Sequence, residues 1–398
     1  MLSKFWRKIK LELADWRLRI LPGFALIILV ILIRLSGYLQ YLEWDAFDYL
    51  LKLRPTESID ERIVIIGINE DDIKTIKKYP IPDQELAQLI MKLQTYKPRV
   101  IGLDIIRDLP VEPGYIELQN IFTKSKNLIG IEKVVIDEIN PPSSLPPEKV
   151  GFVDAILDND NHLRRSLIST YNANNEYKFS LSIRLVIAYL AQEKIEIENG
   201  IKDTETMRFN HIELPRFFPN SGAYINADAG GLQMLINFRS GKQRFRTISL
   251  NQIKNNQFNP DWLRDRIIII GMTAPSVKDV INIAAIPSNN PSPGQVYGVE
   301  IQAHIISQIL SAVKDQRPLL QTWPDGYEYL WMIFWGLIGI TCSRFILHPL
   351  KNFIIVILLG CFVILISYLS ILFGWWLPLI PTILILMING IGLAAFYQ

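Results

Sequence analysis

The residues of this chain that could do chemistry are carboxylates and arginines, and they stand at the ends of apolar runs. Asp104 lies in the run Val100–Ile105 and is followed by Arg107 and Asp108. Arg164 and Arg165 follow an acidic turn that begins at Asp158. Thr273 and Asp279 come after four consecutive isoleucines, Ile267 to Ile270, and Gly271. Glu300 precedes His304 by four residues, which puts both on one helix face. The candidate ligand-binding set is therefore Asp104, Arg107, Asp108, Arg164, Arg165, Thr273, Asp279 and Glu300. If the strand ends converge, these groups make a cleft for a small ligand or an anion. The competing reading is structural. A carboxylate inside an apolar strand needs a partner once buried, and Arg164 or Arg165 would supply a salt bridge to Asp104.

Catalytic chemistry is not expected. The sequence has no GxxxxGK[ST], HExxH, GxSxG or CxxC. Glu300 and His304 are two possible ligands, too few for a metal centre, and read as a surface or helix-packing pair. No catalytic residue, metal or cofactor is expected, and the chain is read as a non-enzyme. The basic loop Lys242, Arg244 and Arg246 reads as a solvated face or a contact with anionic lipid. The formal net charge of +2 gives no case for nucleic acid.

The elements that must position these groups alternate between strand and helix. Ile63–Ile68, Val100–Ile105, Leu128–Ile131, Leu232–Phe238 and the isoleucine run read as strands. The β-branched runs have the form of strands buried on both faces of a parallel sheet. Asp71 or Asp72 reads as the cap of the helix after the first strand. Helices are expected over Gln84–Thr95, Tyr177–Ala191 and Gly298–Leu310. The fold class is thus an α/β domain with a central, largely parallel sheet, with the ligand edge at the carboxyl ends of its strands.

The apolar excess of the chain lies outside that domain. Residues 1–20 are basic (Lys4, Arg7, Lys8, Lys10, Arg17, Arg19), and 21–43 reads as a first transmembrane helix. Arg34 within it is expected to snorkel to the outer interface. The segment Trp44–Pro55 reads as an amphipathic continuation of that span. Residues 323–398 hold three more apolar segments, about Tyr327–Cys342, Phe353–Phe373 and Trp376–Tyr397. A basic loop (Arg344, His348, Lys351) and an uncharged aromatic one (Gly374, Trp375, Trp376) put both termini in the cytoplasm. Domain 44–322 is then extracytoplasmic. Cys342 and Cys361 fall at different depths, roughly 12 Å apart at helical rise, and are not expected to pair.

Several stretches resemble the CHASE2 domain. They are FDYLLKLRP (Phe47–Pro55), RIVIIGINED (Arg62–Asp71), VIGLDI (Val100–Ile105), DNDNHLRR (Asp158–Arg165), INFRS (Ile236–Ser240), LRDRIIIIGMTAPSVKD (Leu263–Asp279) and GVEIQAHIISQIL (Gly298–Leu310). The resemblance implies an extracytoplasmic sensory domain of bacterial, often cyanobacterial, transmembrane receptors. It assigns no ligand. A tryptophan-containing turn usual in such domains is replaced by Tyr79-Pro80-Ile81-Pro82-Asp83, and the segment after Asp104 is shorter. Receptors of this kind carry a kinase or cyclase after the last span. With Gln398 as the last residue, the expectation is a separate cytoplasmic effector instead. A sensor relaying through its helices, a docking subunit of a membrane complex and a membrane-tethered enzyme are the three readings, in that order. The bilayer is the expected partner, and homodimerisation through the Phe47–Leu53 face stays open.

Overall fold

The computed structural model describes residues 20–287, 294–346 and 348–396. The basic N-terminal segment and the end of the last apolar segment lie outside the described residues. The chain forms two compact units. One comprises Lys52–Phe217 and Ala229–Leu319. The other comprises the stretch up to Leu51, Phe218–Asp228 and the stretch from Leu320.

The first unit is built on a six-stranded sheet. Its strands, in chain order, are β1 (Ile63–Ile68), β2 (Val100–Asp104), β3 (Leu128–Glu132), β4 (Val150–Phe152), β8 (Arg246–Ser249) and β9 (Ile267–Met272). The spatial order is β8-β1-β9-β2-β3-β4, and every pairing is parallel. β1 and β9 are buried at every position, as their β-branched runs require of central strands. Along each strand alternate residues face opposite sides. Val64, Ile66, Ile68, Ile101, Leu103, Ile268 and Ile270 share one core with Leu86, Ile90, Leu118 and Phe122. These last come from α2 (Asp83–Thr95) and α3 (Tyr115–Lys124). The opposite face carries α4 (Leu181–Ala191) and α6 (Gly298–Asp315). That helix packs close because β9 has Gly271, where a Cβ would stand 2.6 Å from Val299 Cβ.

Local signals set most boundaries. α1 (Glu70–Ile76) starts at Asn69, whose side chain accepts from the amides of Asp71 and Asp72. Asp72 returns a bond to the Asn69 amide, completing a capping box. The expected cap at Asp71 or Asp72 is therefore corrected to Asn69. Asp72 also accepts from the Leu250 and Asn251 amides, at 3.3 and 2.8 Å, at the start of α5 (Leu250–Lys254). The helix expected from Tyr177 starts later. Tyr177–Phe179 is β6, an edge of the antiparallel sheet β7-β5-β6, with β5 at Arg165–Tyr171 and β7 at Leu232–Leu235. Ser180 then caps α4 by accepting from the Ile183 amide. A hydroxyl cap overrode the apolar run that made the whole stretch look helical.

The chain enters and leaves this unit through one polar cluster. Arg317 donates to both Glu57 oxygens, at 2.8 and 2.9 Å, and to the Asn237 and Phe238 carbonyls, at 3.0 and 3.1 Å. Asn237 Nδ2 donates to the Pro318 carbonyl at 2.7 Å.

The second unit is helical. Helices Ile20–Leu35 and Gln40–Lys52 meet at 84°, with Gly37 in the left-handed region at the break (φ +82°). The second is thus no straight continuation of the first. Arg34 does not snorkel. It is buried in an ion pair with Glu328 of helix Asp325–Phe345, and it donates to the Gly222 carbonyl at 2.8 Å. An acidic partner nearly three hundred residues away in sequence supplies the counter-charge that a single-segment reading cannot see. Pro349–Leu372 is long and apolar enough to cross a membrane. The bent pair Ile20–Leu35 and Gln40–Lys52 meets the same test jointly, and Ile380–Ala395 is a shorter apolar helix. Cys342 and Cys361 are both free.

Candidate functional site

Two of the singled-out carboxylates meet at the carboxyl edge of the large sheet. Asp104 is the last residue of β2 and stands in register with Gly271 of β9. Asp279 follows β9 after the short turn Pro275–Val277. Its backbone carbonyl accepts from the Gly298 amide at 3.1 Å, which fixes it against the first turn of α6. Gly298 gives the Asp279 carboxylate room here. A Cβ at that position would lie 2.8 Å from Asp279 Oδ1.

Asp104, Asp279 and Arg165 line one cavity of about 100 Å³. Phe152, Leu163 and Leu167 contribute apolar wall, Ser166, Ser180 and Ser182 hydroxyls, and Ile301, Gln302 and Ile305 one face of α6. The cavity is thus enclosed by the sheet edge, β5, the start of α4 and α6.

Its charges are unevenly matched. Arg165 pairs with Asp158 (2.9 Å) and donates to Gln233 Oε1 (2.9 Å). Arg164 pairs with Asp158 (3.0 Å) and Asp160 (2.7 Å). The salt bridge expected between Asp104 and an arginine is therefore absent, because the acidic turn takes both guanidiniums. Among the described residues, Asp104 and Asp279 make no side-chain hydrogen bond or ion pair. Burial, and after it the charge of Asp279, pushes the Asp104 carboxyl up to about 8. Burial also raises Asp279. Both shifts follow from taking an ionised carboxylate out of water with no compensating cation.

The other singled-out residues go elsewhere. Arg107 is buried under the Tyr79–Asp83 turn. It pairs with Asp83 at 3.1 Å and donates to the Ile81 carbonyl at 2.7 Å. Asp108 is exposed. Thr273 donates its amide to Ile68 O at 2.9 Å and packs over Gly67. Glu300 belongs to a separate buried cluster. Arg244 pairs with it at 2.7 Å, so Arg244 is no solvated loop residue. Lys242 of the same loop is exposed, and Arg246 lies over the Trp262 ring at 4.0 Å. Burial alone would raise Glu300, but His304 and Arg244 outweigh it and hold the carboxyl at about 2. His304 is sealed from solvent and falls to about 4. The Arg239 amide donates to His304 Nδ1 at 3.1 Å, which leaves the proton of the neutral ring on Nε2. This pair packs the helix, as one of the two expected roles had it, and it is not at the surface.

Sequence reasoning missed Gln302 and the three serines. Gln302 sits on the buried side of an amphipathic helix, where a polar residue amid apolar spacing was the available signal. Among the described residues no group of three or more His, Cys, Asp or Glu could hold a metal ion.

The first unit is thus an α/β unit with a walled cavity at the carboxyl ends of its strands. The CHASE2 domain family matches residues 25–341. The chain belongs to this family of extracytoplasmic sensory domains. No solved structure matches the chain.

Proposed function

We propose that the protein is a membrane-anchored, non-enzymatic sensor that binds a small molecule in the strand-end cavity and relays its occupancy to a separate output protein. The observation that carries this reading is the pair Asp104 and Asp279. Two carboxylates partly withdrawn from solvent in one cavity wall, with no cation between them among the described residues, are unfavourable for folding, and such groups in a cleft mark functional sites. A concave, mixed polar and apolar cavity favours small-molecule recognition over a flat docking face. In this reading the four apolar segments span the inner membrane of a bacterium, both termini are cytoplasmic, and the domain between them faces the periplasm. The ligand shifts the helices only by its differential affinity for two states of the domain. The partners are the bilayer, a cytoplasmic effector and a second copy of this chain.

The experiment is affinity purification of the full-length protein from its own membrane, with mass spectrometry of the co-purifying proteins. Recovery of a kinase, cyclase or comparable effector is the expected result. Recovery of only envelope or membrane-complex subunits would replace the sensor with a docking role.

A further inference from the structure

The walls of the cavity specify the charge of what fills it. Arg165, the one cation in the lining among the described residues, is already engaged by Asp158 and Gln233. Asp154, a third carboxylate in the lining, is occupied as well. It accepts from the amides of Val134, Val135 and Ile136, at 2.9, 3.1 and 3.1 Å. Asp104 and Asp279 remain as acceptors without donors among the described residues. An independent observation adds a third acceptor. Gln302 lies in the same wall, only 9% exposed, and its Oε1 has no hydrogen-bond partner among the described residues. A buried amide carbonyl left open in this way is costly unless something donates to it.

We propose that the cavity takes a small primary ammonium ion with a short apolar tail, whose three N–H donors go to Asp104, Asp279 and Gln302 Oε1. This inference rests on the reading of the cavity as the sensory site and adds the class of its ligand. An ammonium group offers three donors and no acceptor, matching three acceptors that line one cavity without donors among the described residues. Its positive charge favours the ionised form of both carboxyls, so the proton that Asp104 holds in the empty cavity leaves to solvent as the ammonium binds. The tail has apolar wall to rest on, from Leu163, Ile301 and Ile305. A volume of about 100 Å³ is somewhat less than the roughly 150 Å³ that accommodates benzene, so a ligand of about four to six heavy atoms fits. A bare divalent cation suits the site less. It needs about six or more oxygens and would leave the apolar wall unused.

The test uses the full-length protein in detergent or nanodiscs, titrated calorimetrically with butylammonium chloride. Butanol, sodium butyrate and calcium chloride are the comparison probes. Butylammonium is expected to bind and the other three not. Asp104→Asn and Asp279→Asn should each weaken butylammonium about ten- to a hundredfold, the loss of one charge-assisted hydrogen bond. Circular dichroism of both variants checks that they fold. Gly298→Ala, which intrudes on the Asp279 carboxylate, is the second route to the same loss. Binding unchanged in the folded variants overturns the assignment. Butyrate, butanol or calcium binding in preference to butylammonium overturns the ligand class and leaves the sensory cavity standing. Silence from all four probes overturns the assignment. The sensory reading falls with it only if protein from its own membrane also carries no molecule in the cavity.

Discussion

At the scale of single residues, the central feature is that Asp104 is held protonated at neutral pH by its surroundings. Its folded value, about 8, is raised above the ordinary carboxylate range. Between about pH 4 and 8 the folded state therefore binds a proton that the unfolded chain has released. The stability contributed by this group is full below about pH 4 and is lost as pH rises through 8. Asp104→Asn removes that loss. Its thermal unfolding should match wild type near pH 4 and exceed it at pH 8 by on the order of 5 kcal/mol, or about 10–20 °C in Tm. An advantage that shrinks as pH rises would contradict the assignment. His304 has the opposite sign. Its folded value of about 4 lies below that of an unfolded histidine, so the folded state resists protonation and stability falls as pH drops from about 6.5 to 4. The loss is on the order of 3 kcal/mol. His304→Phe should flatten that limb in an acid titration of Tm, and an unchanged acid limb would count against a buried neutral imidazole.

Much of this was legible at the residue level. Asp104 stands out because it lies inside an apolar run and Asp279 because it follows one, and both line one cavity. Their partners were not legible. Arg164 and Arg165 are claimed by Asp158 and Asp160 within a few residues of chain, a local competition that strand-end reasoning does not weigh. Glu300 and Thr273 looked equivalent to Asp279 in sequence, but helix phase and strand register turn them into other surroundings. Gln302 was hidden by the same fact that makes it informative, its place on an inward face.

At the scale of elements, the sheet was the readable part, since β-branched runs flanked by glycine need both faces covered. The boundary at Tyr177 was not, because a three-residue edge strand and a helix share an apolar pattern and only the Ser180 cap separates them. Close approach of α6 to the sheet edge shapes the cavity. Gly298→Ala should cost roughly 1–3 kcal/mol from the added methyl, read by thermal unfolding. A fully wild-type Tm would show that Asp279 is not pinned there. The Glu57–Arg317 cluster ties the entering and leaving segments of the domain together. It limits how far Pro55 and the end of α6 can separate, so any relay has to act through a motion that these segments share. Arg317→Ala strips donors from Glu57 and two carbonyls and should destabilise by roughly 1–3 kcal/mol. Hydrogen exchange should rise in 52–60 and 311–319 first. Faster exchange confined to other segments would contradict a clamp.

At the scale of the whole molecule, the chain belongs to a family of extracytoplasmic sensory domains, and the proposal adds topology and ligand. Apolar composition marks segments that hold helices, but neither their bounds nor their geometry: the last begins at Ile380, after the short strand Trp375–Trp376. The 84° bend at Gly37 and the Arg34–Glu328 pair come from tertiary packing that no single window contains. The topology predicts that alkaline phosphatase fused after Leu320 is active and that a fluorescent protein fused at Gln398 glows in the cytoplasm. An inactive phosphatase at Leu320 would contradict a periplasmic domain.

The most direct measurement is mass spectrometry of the small molecules released on denaturing full-length protein purified gently from its own membrane, compared with the Asp104→Asn/Asp279→Asn double variant. The sensory reading predicts a stoichiometric small molecule in wild type and its loss in the variant. The same molecule retained in both, or none in either, would contradict a ligand site at the strand-end cavity.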